Sequence, residues 1–303
     1  MKIPSSKDGG IFMVGEIIQS TSYKIFWYDG IMNITSINEI GIRNINEDHI
    51  LVDGTKNIFG VFDGASSLVP YMSPGSKTGG YVAASTASNT FEKSDGDLKT
   101  VALKANNAIE KIQADAGINL SKNVNRFATT AAVVRINDDT AELLQIGDSL
   151  ILIIDADGNA TAPLGYIDQD IIAMRKWRQF ADQGAQNIRE LVMEDVMRQR
   201  EAANIGYGAL NGDPGVEKHI LTTTISLDNV ASILLLTDGM FLPKANPDAD
   251  DNWNEYADCY QQGGLDGLFK LVRNTEKDDP TLVKYPRFKL HDDSSGIALD
   301  FNR

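Results

Sequence analysis

The sequence predicts an α+β fold in which helices pack on antiparallel β-sheets. Short apolar strands separated by turn signals come in clusters, whereas the helical patterns come in separate pairs. This grouping differs from the regular strand–helix alternation that builds parallel sheets. No linker, low-complexity tract or repeat of fixed period interrupts the chain, so we expect a single domain over residues 1–303.

Charge and composition exclude several classes of partner. The formal net charge of −14 argues against nucleic acids and anionic membrane surfaces as partners. No run of about 18 apolar residues is present, and the first ten residues lack the apolar core of a secretion signal. A single cysteine, Cys259, fits a reducing compartment. We therefore expect a cytoplasmic protein that binds neither membrane nor nucleic acid.

The first third of the chain predicts strands followed by a pair of helices. Residues up to about 22 have weak structural signals, and an aromatic run indicates a strand at Tyr23–Tyr28. The stretch leading to Val52 and the apolar run Ile58–Phe62 are expected to form a hairpin around an Asp-Gly turn. Helices are then predicted at Lys77–Glu92 and Leu98–Ala114, and the apolar residues of the second lie close to a 3.6-residue period.

The remaining two thirds repeat this arrangement. Three strands in an antiparallel meander are predicted at Thr129–Ile136, Ala141–Gln145 and Leu150–Ile154. A helical segment from Asp168 to Ala203, with a break near Gly184, follows them. The last part predicts strands and two helices, at Ile220–Leu227, Ala231–Thr237, Trp253–Gln261, Leu265–Glu276 and Ser295–Leu299.

Two apolar runs each end in an aspartate followed by a glycine, at Asp63-Gly64 and Asp238-Gly239. A buried strand that ends in this way holds one carboxylate at its tip, and the glycine leaves its carbonyl uncovered toward a cation. Paired carboxylates on rigid strands suit Mg²⁺ or Mn²⁺. The alternative for either stretch alone is an ordinary Asp-Gly turn.

More acids stand at predicted strand ends. Glu47-Asp48 precedes a strand, Asp148 lies in the turn Gly147-Asp148-Ser149, and Asp292-Asp293 precedes the last strand. Several carboxylates at buried strand ends require compensation, because like charges repel and burial penalises the charged form. Bound divalent cations are one form of compensation, and exposure to solvent is the other.

Taken in order, these motifs resemble those of the metal-dependent serine/threonine protein phosphatases of type 2C, the PPM family, in its bacterial form. The resemblance covers residues 41–299, nearly the whole chain. The matching motifs are Arg43 with Glu47-Asp48, Phe62-Asp63-Gly64, Thr129-Thr130-Ala131 with Gly147-Asp148-Ser149, Thr237-Asp238-Gly239, and Asp292-Asp293-Ser294-Ser295.

The resemblance implies a four-layer sandwich, in which two antiparallel sheets pack face to face and helical pairs lie outside. It also implies two Mn²⁺ or Mg²⁺ ions per site and a weaker third. Asp63 would bridge the two ions, with the Gly64 carbonyl on one of them. Asp238 and Asp292 would hold the first ion, and Asp238 with Asp148 would offer the third site.

Three more roles follow from the same resemblance. Glu47 would act on the second ion, through water. Arg43 would bind the substrate phosphate, because a guanidinium is always charged and can contact two oxygens at once. Asp48 would orient Arg43 or a metal-bound water. The residues expected to carry catalysis are Arg43, Asp63 and Asp238.

The implied reaction is hydrolysis of phosphoserine and phosphothreonine in proteins by a water activated between two divalent cations. Its substrates would be proteins phosphorylated by a serine/threonine kinase. Two alternatives remain open: a pseudophosphatase that only binds phosphoproteins, and a phosphatase of small phosphate esters. Residues 161–215 correspond to the variable flap of the family and are expected to shape substrate access.

The chain departs from the family pattern in two places. Ala65-Ser66-Ser67 stands where many relatives carry histidine or methionine followed by glycines, and Ala128 replaces a usual glycine. The family histidine is a proposed proton donor, so the proton donor of this chain is left open. His49 and His291 lie beside motif acids and are the two candidates for a substitute, although packing or surface roles are more common for such histidines.

Overall fold

The computed structural model describes residues 21–27 and 30–302, which form two antiparallel sheets. The strands are β1 (Thr21–Trp27), β2 (Gly30–Glu39), β3 (His49–Asp53), β4 (Ile58–Ala65), β5 (Ala128–Asn137), β6 (Thr140–Ile146), β7 (Leu150–Asp155), β8 (Ala160–Thr161), β9 (Leu221–Ser226), β10 (Val230–Leu236) and β11 (Ser294–Asn302). One sheet has six strands in the order β1-β2-β11-β10-β7-β8, and the other has five in the order β3-β4-β5-β6-β9.

The helices are α1 (Gly79–Lys93), α2 (Leu98–Asp115), α3 (Ile171–Asp182), α4 (Ile188–Leu191), α5 (Met193–Glu201) and α6 (Trp253–Lys277). Helices α1 and α2 cover the outer face of the five-stranded sheet, and α6 covers that of the six-stranded sheet. One apolar cluster lies between α1, α2 and the five-stranded sheet, a second between the two sheets, and a third between the six-stranded sheet and α6. The predicted α+β sandwich of four layers is confirmed.

The helix pair α1–α2 follows from local sequence signals. The side chain of Thr78 accepts a hydrogen bond from the Tyr81 amide at 3.3 Å and begins α1, and Asp97 accepts from the Thr100 amide at 2.8 Å and begins α2. These caps satisfy amide groups that the first turn of a helix leaves without partners. Both helices lie within two residues of their predicted bounds.

The antiparallel meander predicted for β5, β6 and β7 is wrong. β6 pairs with β5 and β9, whereas β7 pairs with β10 and β8 in the other sheet. The turn at Gly147 therefore carries the chain from one sheet to the other, and Gly147 adopts a φ of 74° there. A Cβ at this position would lie 2.5 Å from the Thr130 side chain, so the turn requires glycine both for its conformation and for its close approach.

One further element differs from its prediction. β2 was not expected, because its sequence is half polar and its partner β11 lies more than 250 residues away in the chain. The two helices predicted between Trp253 and Glu276 together make up α6, and the break between them is confirmed, since the backbone leaves the helical conformation at Gly264 with φ 63° and ψ −162°. The break predicted near Gly184 is confirmed, since α3 ends at Asp182.

Residues 161–215 contain α3, α4 and α5, which have a small apolar cluster of their own around Trp177 and Val192. The weak structure predicted for the N-terminus falls, up to residue 20, outside the described residues. No helix in the described part of the chain has the length and apolarity needed to cross a membrane.

Candidate active site

The predicted acids come together because their strands end at one edge of the sandwich. In the five-stranded sheet, β3 begins and β4 ends there, with His49 opposite Phe62 in the register. In the six-stranded sheet, β10 ends and β11 begins at the corresponding edge, with Leu236 opposite Gly296. Antiparallel pairing thus brings together motifs that are up to 250 residues apart in the sequence.

A cleft of about 500 Å³ opens at this edge. Of the eight site residues predicted from the sequence, seven line the cleft, and the eighth, Asp48, is buried beside it. The seven lining residues are Arg43, Glu47, Asp63, Gly64, Asp148, Asp238 and Asp292.

Glu47 fixes the position of Arg43 at the cleft. Arg43 Nη1 donates to Glu47 Oε2 at 2.6 Å, and Ser66 Oγ donates to the other carboxylate oxygen at 2.5 Å. The Glu47 side chain is 3% exposed, whereas the Arg43 side chain is 41% exposed. A guanidinium carries five N–H groups, so Arg43 retains donors for a ligand in the cleft.

Asp48 contacts the opposite sheet. Its Oδ2 accepts from the Thr237 hydroxyl at 2.8 Å, and the same hydroxyl accepts from the Ser295 amide at 2.9 Å. The suggested contact between Asp48 and Arg43 is not made, since Arg43 bonds to Glu47 instead. Burial raises the pKa of Asp48 well above its usual range, and the charge of Asp238 adds to this effect.

The sequence assigned no role to Asp293, which proves to hold the loop that carries Arg43. Its two carboxylate oxygens accept from the amides of Gly41 and Glu47, each at 2.8 Å. These contacts tie the loop before β3 to the start of β11. The adjacent acids Asp292-Asp293 were visible as a pair in the sequence, but only the fold distinguishes the structural acid from the one that faces the cleft.

Asp63 and Asp238 lie half-buried in the cleft. Loss of hydration raises the pKa of Asp63 well above its usual range, and the charges of Asp48 and Asp148 raise it further. Loss of hydration likewise raises the pKa of Asp238, with added repulsion from Asp63 and Asp292. The acids therefore concentrate negative charge that a cation would relieve.

Asp148 has one carboxylate oxygen without a partner. Its Oδ2 accepts a hydrogen bond from Gln169 Nε2, whereas its buried Oδ1 has none. Burial raises the pKa of Asp148 to about 7, and the nearby charge of Asp170 contributes to the increase. A buried acceptor without a hydrogen-bond partner, in a cluster of acids, fits a positively charged ligand.

The donor set fits hard divalent cations, because it consists of carboxylate oxygens on strand ends and one glycine carbonyl. Within residues 21–27 and 30–302, no three His, Cys, Asp or Glu side chains are gathered closely enough to form a ready-made metal cage. The acids nevertheless share one cleft and raise one another's pKa values, so they are close enough to interact electrostatically.

The structure adds cleft residues that sequence reasoning missed. The Lys289 ammonium forms an ion pair with Asp292 Oδ1. The segment 161–215 also contributes to the cleft lining, and its polar members include Gln169 and Asp170. Burial raises the pKa of Asp170 to about 6. Their only sequence signal was their position beside motif acids or inside the expected flap.

Neither histidine considered as a substitute proton donor lines the cleft. The His49 ring packs edge-on against Tyr81 at 4.6 Å between ring centroids, and burial lowers its pKa. His291 Nδ1 lies 2.8 Å from Glu276 Oε2. His49 is thus held by a ring contact, and His291 by a hydrogen bond to a carboxylate.

Solved structures of bacterial proteins share this fold. PppA of Pseudomonas aeruginosa, a key regulatory component of its T6SS, is 17% identical, with a TM-score of 0.52 over 93% of this chain and 99% of that chain. The Mycobacterium tuberculosis serine/threonine phosphatase PstP/Ppp is 17% identical, with a TM-score of 0.55 over 90% and 99%. The catalytic domain of PstP in complex with two manganese ions is 17% identical, with a TM-score of 0.51 over 89% and 97%.

Such low identities establish the shared fold, and a family-level sequence comparison goes further. A search of curated protein sequences finds no significant match. The model of the family described as protein phosphatase 2C, however, matches residues 43–267, which is well over half of the chain. That range includes all the predicted site residues except Asp292. The chain therefore belongs to the protein phosphatase 2C family.

Proposed function

We propose that this protein is a metal-dependent phosphatase that hydrolyses phosphoserine and phosphothreonine in other proteins. The observation that carries the proposal is that Arg43 and four aspartates from distant strand ends line one cleft. Membership of the protein phosphatase 2C family supports it. The similarity in fold to PstP, which was solved in complex with two manganese ions, supports the choice of Mn²⁺ or Mg²⁺.

Asp63, Asp238 and Asp292 are the proposed ligands of two divalent cations, together with the carbonyl of Gly64. Glycine is needed at position 64, because a Cβ there would lie 2.4 Å from the Glu47 carbonyl oxygen. Cations bound to these groups would supply the positive charge that activates a water for attack on phosphorus. Asp63 and Asp238 are partly exposed and line the cleft, so cations can reach them from there.

Arg43 is the proposed binding group for the substrate phosphate. The short ion pair with Glu47 orients its guanidinium, and the donors that remain can pair with phosphoryl oxygens. Both oxygens of Glu47 already accept hydrogen bonds, so we propose that this residue acts on the second cation through water.

Asp148, with Asp238, is the proposed third and weaker cation site. The free Oδ1 of Asp148 supports this role, because a cation is the partner that a buried and unpaired carboxylate oxygen lacks. Gln169 on the other oxygen links this site to residues 161–215, the proposed flap. Cytoplasmic phosphoproteins modified by a serine/threonine kinase are the proposed substrates.

The test is hydrolysis of a phosphothreonine peptide and of p-nitrophenyl phosphate by the purified protein with Mn²⁺, with Mg²⁺ and with EDTA. We expect turnover of both substrates that requires metal and that Asp238→Asn abolishes. Asp157→Asn is the matched control, since Asp157 is an exposed acid in a turn outside the cleft. Circular dichroism would verify that each variant is folded.

Three results would contradict parts of the proposal. Wild-type turnover in Asp238→Asn would refute the metal assignment. Hydrolysis of p-nitrophenyl phosphate without any action on phosphopeptides would favour a phosphatase of small esters. No hydrolysis by the folded protein with either metal would favour a phosphoprotein-binding module instead.

A further inference from the structure

Lys289 is held in place by an ordered segment between α6 and β11. Arg287, two residues before it, donates to the carbonyl oxygens of Glu276 at 2.9 Å and Asp279 at 2.7 Å. Arg287 Nη1 also lies 3.2 Å from Asp279 Oδ2, in an ion pair whose side chains are both largely buried. The backbone that presents Lys289 to the cleft is therefore fixed by several contacts.

The ammonium of Lys289 occupies a position that bears directly on the proposed metal centre. It pairs with Oδ1 of Asp292, and that oxygen also accepts from the Asp293 amide at 2.8 Å. The Lys289 side chain is 24% exposed and lines the cleft. The carboxylate proposed to hold a cation thus already contacts a positive charge that belongs to the protein.

The influence of this charge extends beyond Asp292. Burial is the main cause of the raised pKa values of Asp63 and Asp238, and the charge of Lys289 acts against it at both acids. Arg43 also lines the cleft, but it is already paired with Glu47. The ion pair with Asp292, and the effect on the pKa of Asp238, identify Lys289 as a cationic side chain placed to neutralise this part of the cluster.

We propose that Lys289 is a tethered counter-ion of the metal centre, which neutralises Asp292 when no divalent cation is bound and which a cation must displace from that carboxylate. This inference rests on the proposed function in one respect, since it takes Asp292 to be a metal ligand. It adds that Lys289 competes with the metal for the Asp292 carboxylate. This side chain therefore stabilises the metal-free fold and weakens metal binding.

The expected consequence follows from Coulomb's law. An ammonium in contact with a carboxylate in partly buried surroundings interacts with it strongly, and a divalent cation gains less from a carboxylate that is already neutralised. Removal of the ammonium should therefore tighten metal binding. It should also leave the metal-free cluster with uncompensated repulsion, so the same change should destabilise the metal-free protein.

The experiment measures Mn²⁺ binding by isothermal titration calorimetry and the Tm of the metal-free protein, both on the full chain. Lys289→Met removes the charge and keeps the apolar stem, Lys289→Gln is a second neutral variant in case the first does not fold, and Lys289→Arg keeps the charge. Lys176→Met is the matched control, because Lys176 Nζ pairs at 2.6 Å with the buried carboxylate of Asp195 outside the cleft.

We expect the neutral variants to bind Mn²⁺ about tenfold more tightly than wild type and to melt a few degrees lower without metal. Lys289→Arg and Lys176→Met should bind Mn²⁺ with wild-type affinity. Unchanged or weaker binding by the neutral variants would overturn the inference while leaving the proposed metal site intact. Equal tightening by Lys289→Arg would also overturn it, because the effect would then not be one of charge.

The two proposals can fail separately. A wild-type protein that binds Mn²⁺ but hydrolyses no phosphate ester would refute the proposed function, and the comparison of affinities would still decide the role of Lys289. No Mn²⁺ binding by wild type or by the neutral variants would overturn both the metal site and its counter-ion.

Discussion

The loop that carries Arg43 depends on one buried carboxylate, which makes Asp293→Ala an informative substitution. Asp293 is 5% exposed, and its oxygens accept the Gly41 and Glu47 amides at 2.8 Å each. Hydrogen bonds to charged groups contribute about 1.5–3 kcal/mol each, so two of them amount to roughly 3–6 kcal/mol. Relief of the repulsion between Asp293 and Asp48 offsets part of this loss.

We therefore expect Asp293→Ala to lower the free energy of unfolding by about 3 kcal/mol. For a chain of this size each kcal/mol lowers Tm by roughly 2–4 °C, so the expected decrease in Tm is roughly 6–12 °C. Phosphatase activity should decrease as well, because Arg43 lies in the loop that Asp293 holds. The cause of this decrease should be weaker phosphate binding rather than weaker metal binding, since Asp293 is not itself a proposed metal ligand.

The assay is calorimetric melting with EDTA at pH 7.5, so that bound metal does not mask the change. Asp157→Ala, at an exposed turn, is the control and should melt like wild type. Asp293→Asn should be intermediate, because its amide keeps one acceptor oxygen. A loss smaller than about 1 kcal/mol for Asp293→Ala would refute the reasoning, since the amides of Gly41 and Glu47 would then tolerate the loss of their acceptor.

Three further predictions concern the cleft. Gly64→Ala should lower the free energy of unfolding, measured by chemical denaturation, by about 3 kcal/mol or more, because the new Cβ would lie 2.4 Å from a backbone atom. Gly75→Ala is the control and should fold normally, because its Cβ would have its nearest neighbouring atom at 3.9 Å. Because burial raises the pKa of Asp148 to about 7, the metal-free fold binds more protons than the unfolded chain between about pH 4 and pH 7. The protonated Asp148 therefore contributes to stability fully below about pH 4, and this contribution is lost as the pH rises through about 7. Tm measured from pH 5 to pH 8 with EDTA should show this decline, and Asp148→Asn should reduce it. Arg43→Lys should lower kcat/KM by about tenfold or more while the protein stays folded. The reason is that an ammonium cannot pair with Glu47 and with two phosphoryl oxygens in the geometry of a guanidinium. An unchanged kcat/KM would contradict the role of Arg43 in phosphate binding.

Local patterns in the sequence were sufficient for much of the fold. The apolar runs that end at Asp63 and Asp238 predicted two buried strands with carboxylates at their tips, and both strands are present. The helices α1 and α2 were predicted from local residue patterns, and the caps at Thr78 and Asp97 that begin them are local as well. The order of the acidic motifs indicated the family that the comparison of residues 43–267 confirms.

Pairings between distant segments could not be predicted in the same way. β2 lies between β1 and β11, and its polar sequence becomes a strand only because those neighbours supply its hydrogen bonds. The strand β7 was predicted correctly but assigned to the wrong sheet, because nothing in Gly147-Asp148-Ser149 distinguishes a hairpin from a crossing between sheets. Strand identity is a local property, whereas strand partners depend on the whole chain.

The same division holds within the site. The sequence by itself determined which acids stand at strand ends, because apolar runs and the Asp-Gly pairs that end them consist of consecutive residues. Only the tertiary structure decided that Glu47 holds Arg43, that Asp48 contacts Thr237 and that Lys289 pairs with Asp292. Those choices depend on distances between side chains from separate elements, and the charge that each acid experiences is set by neighbours that the order of residues does not identify.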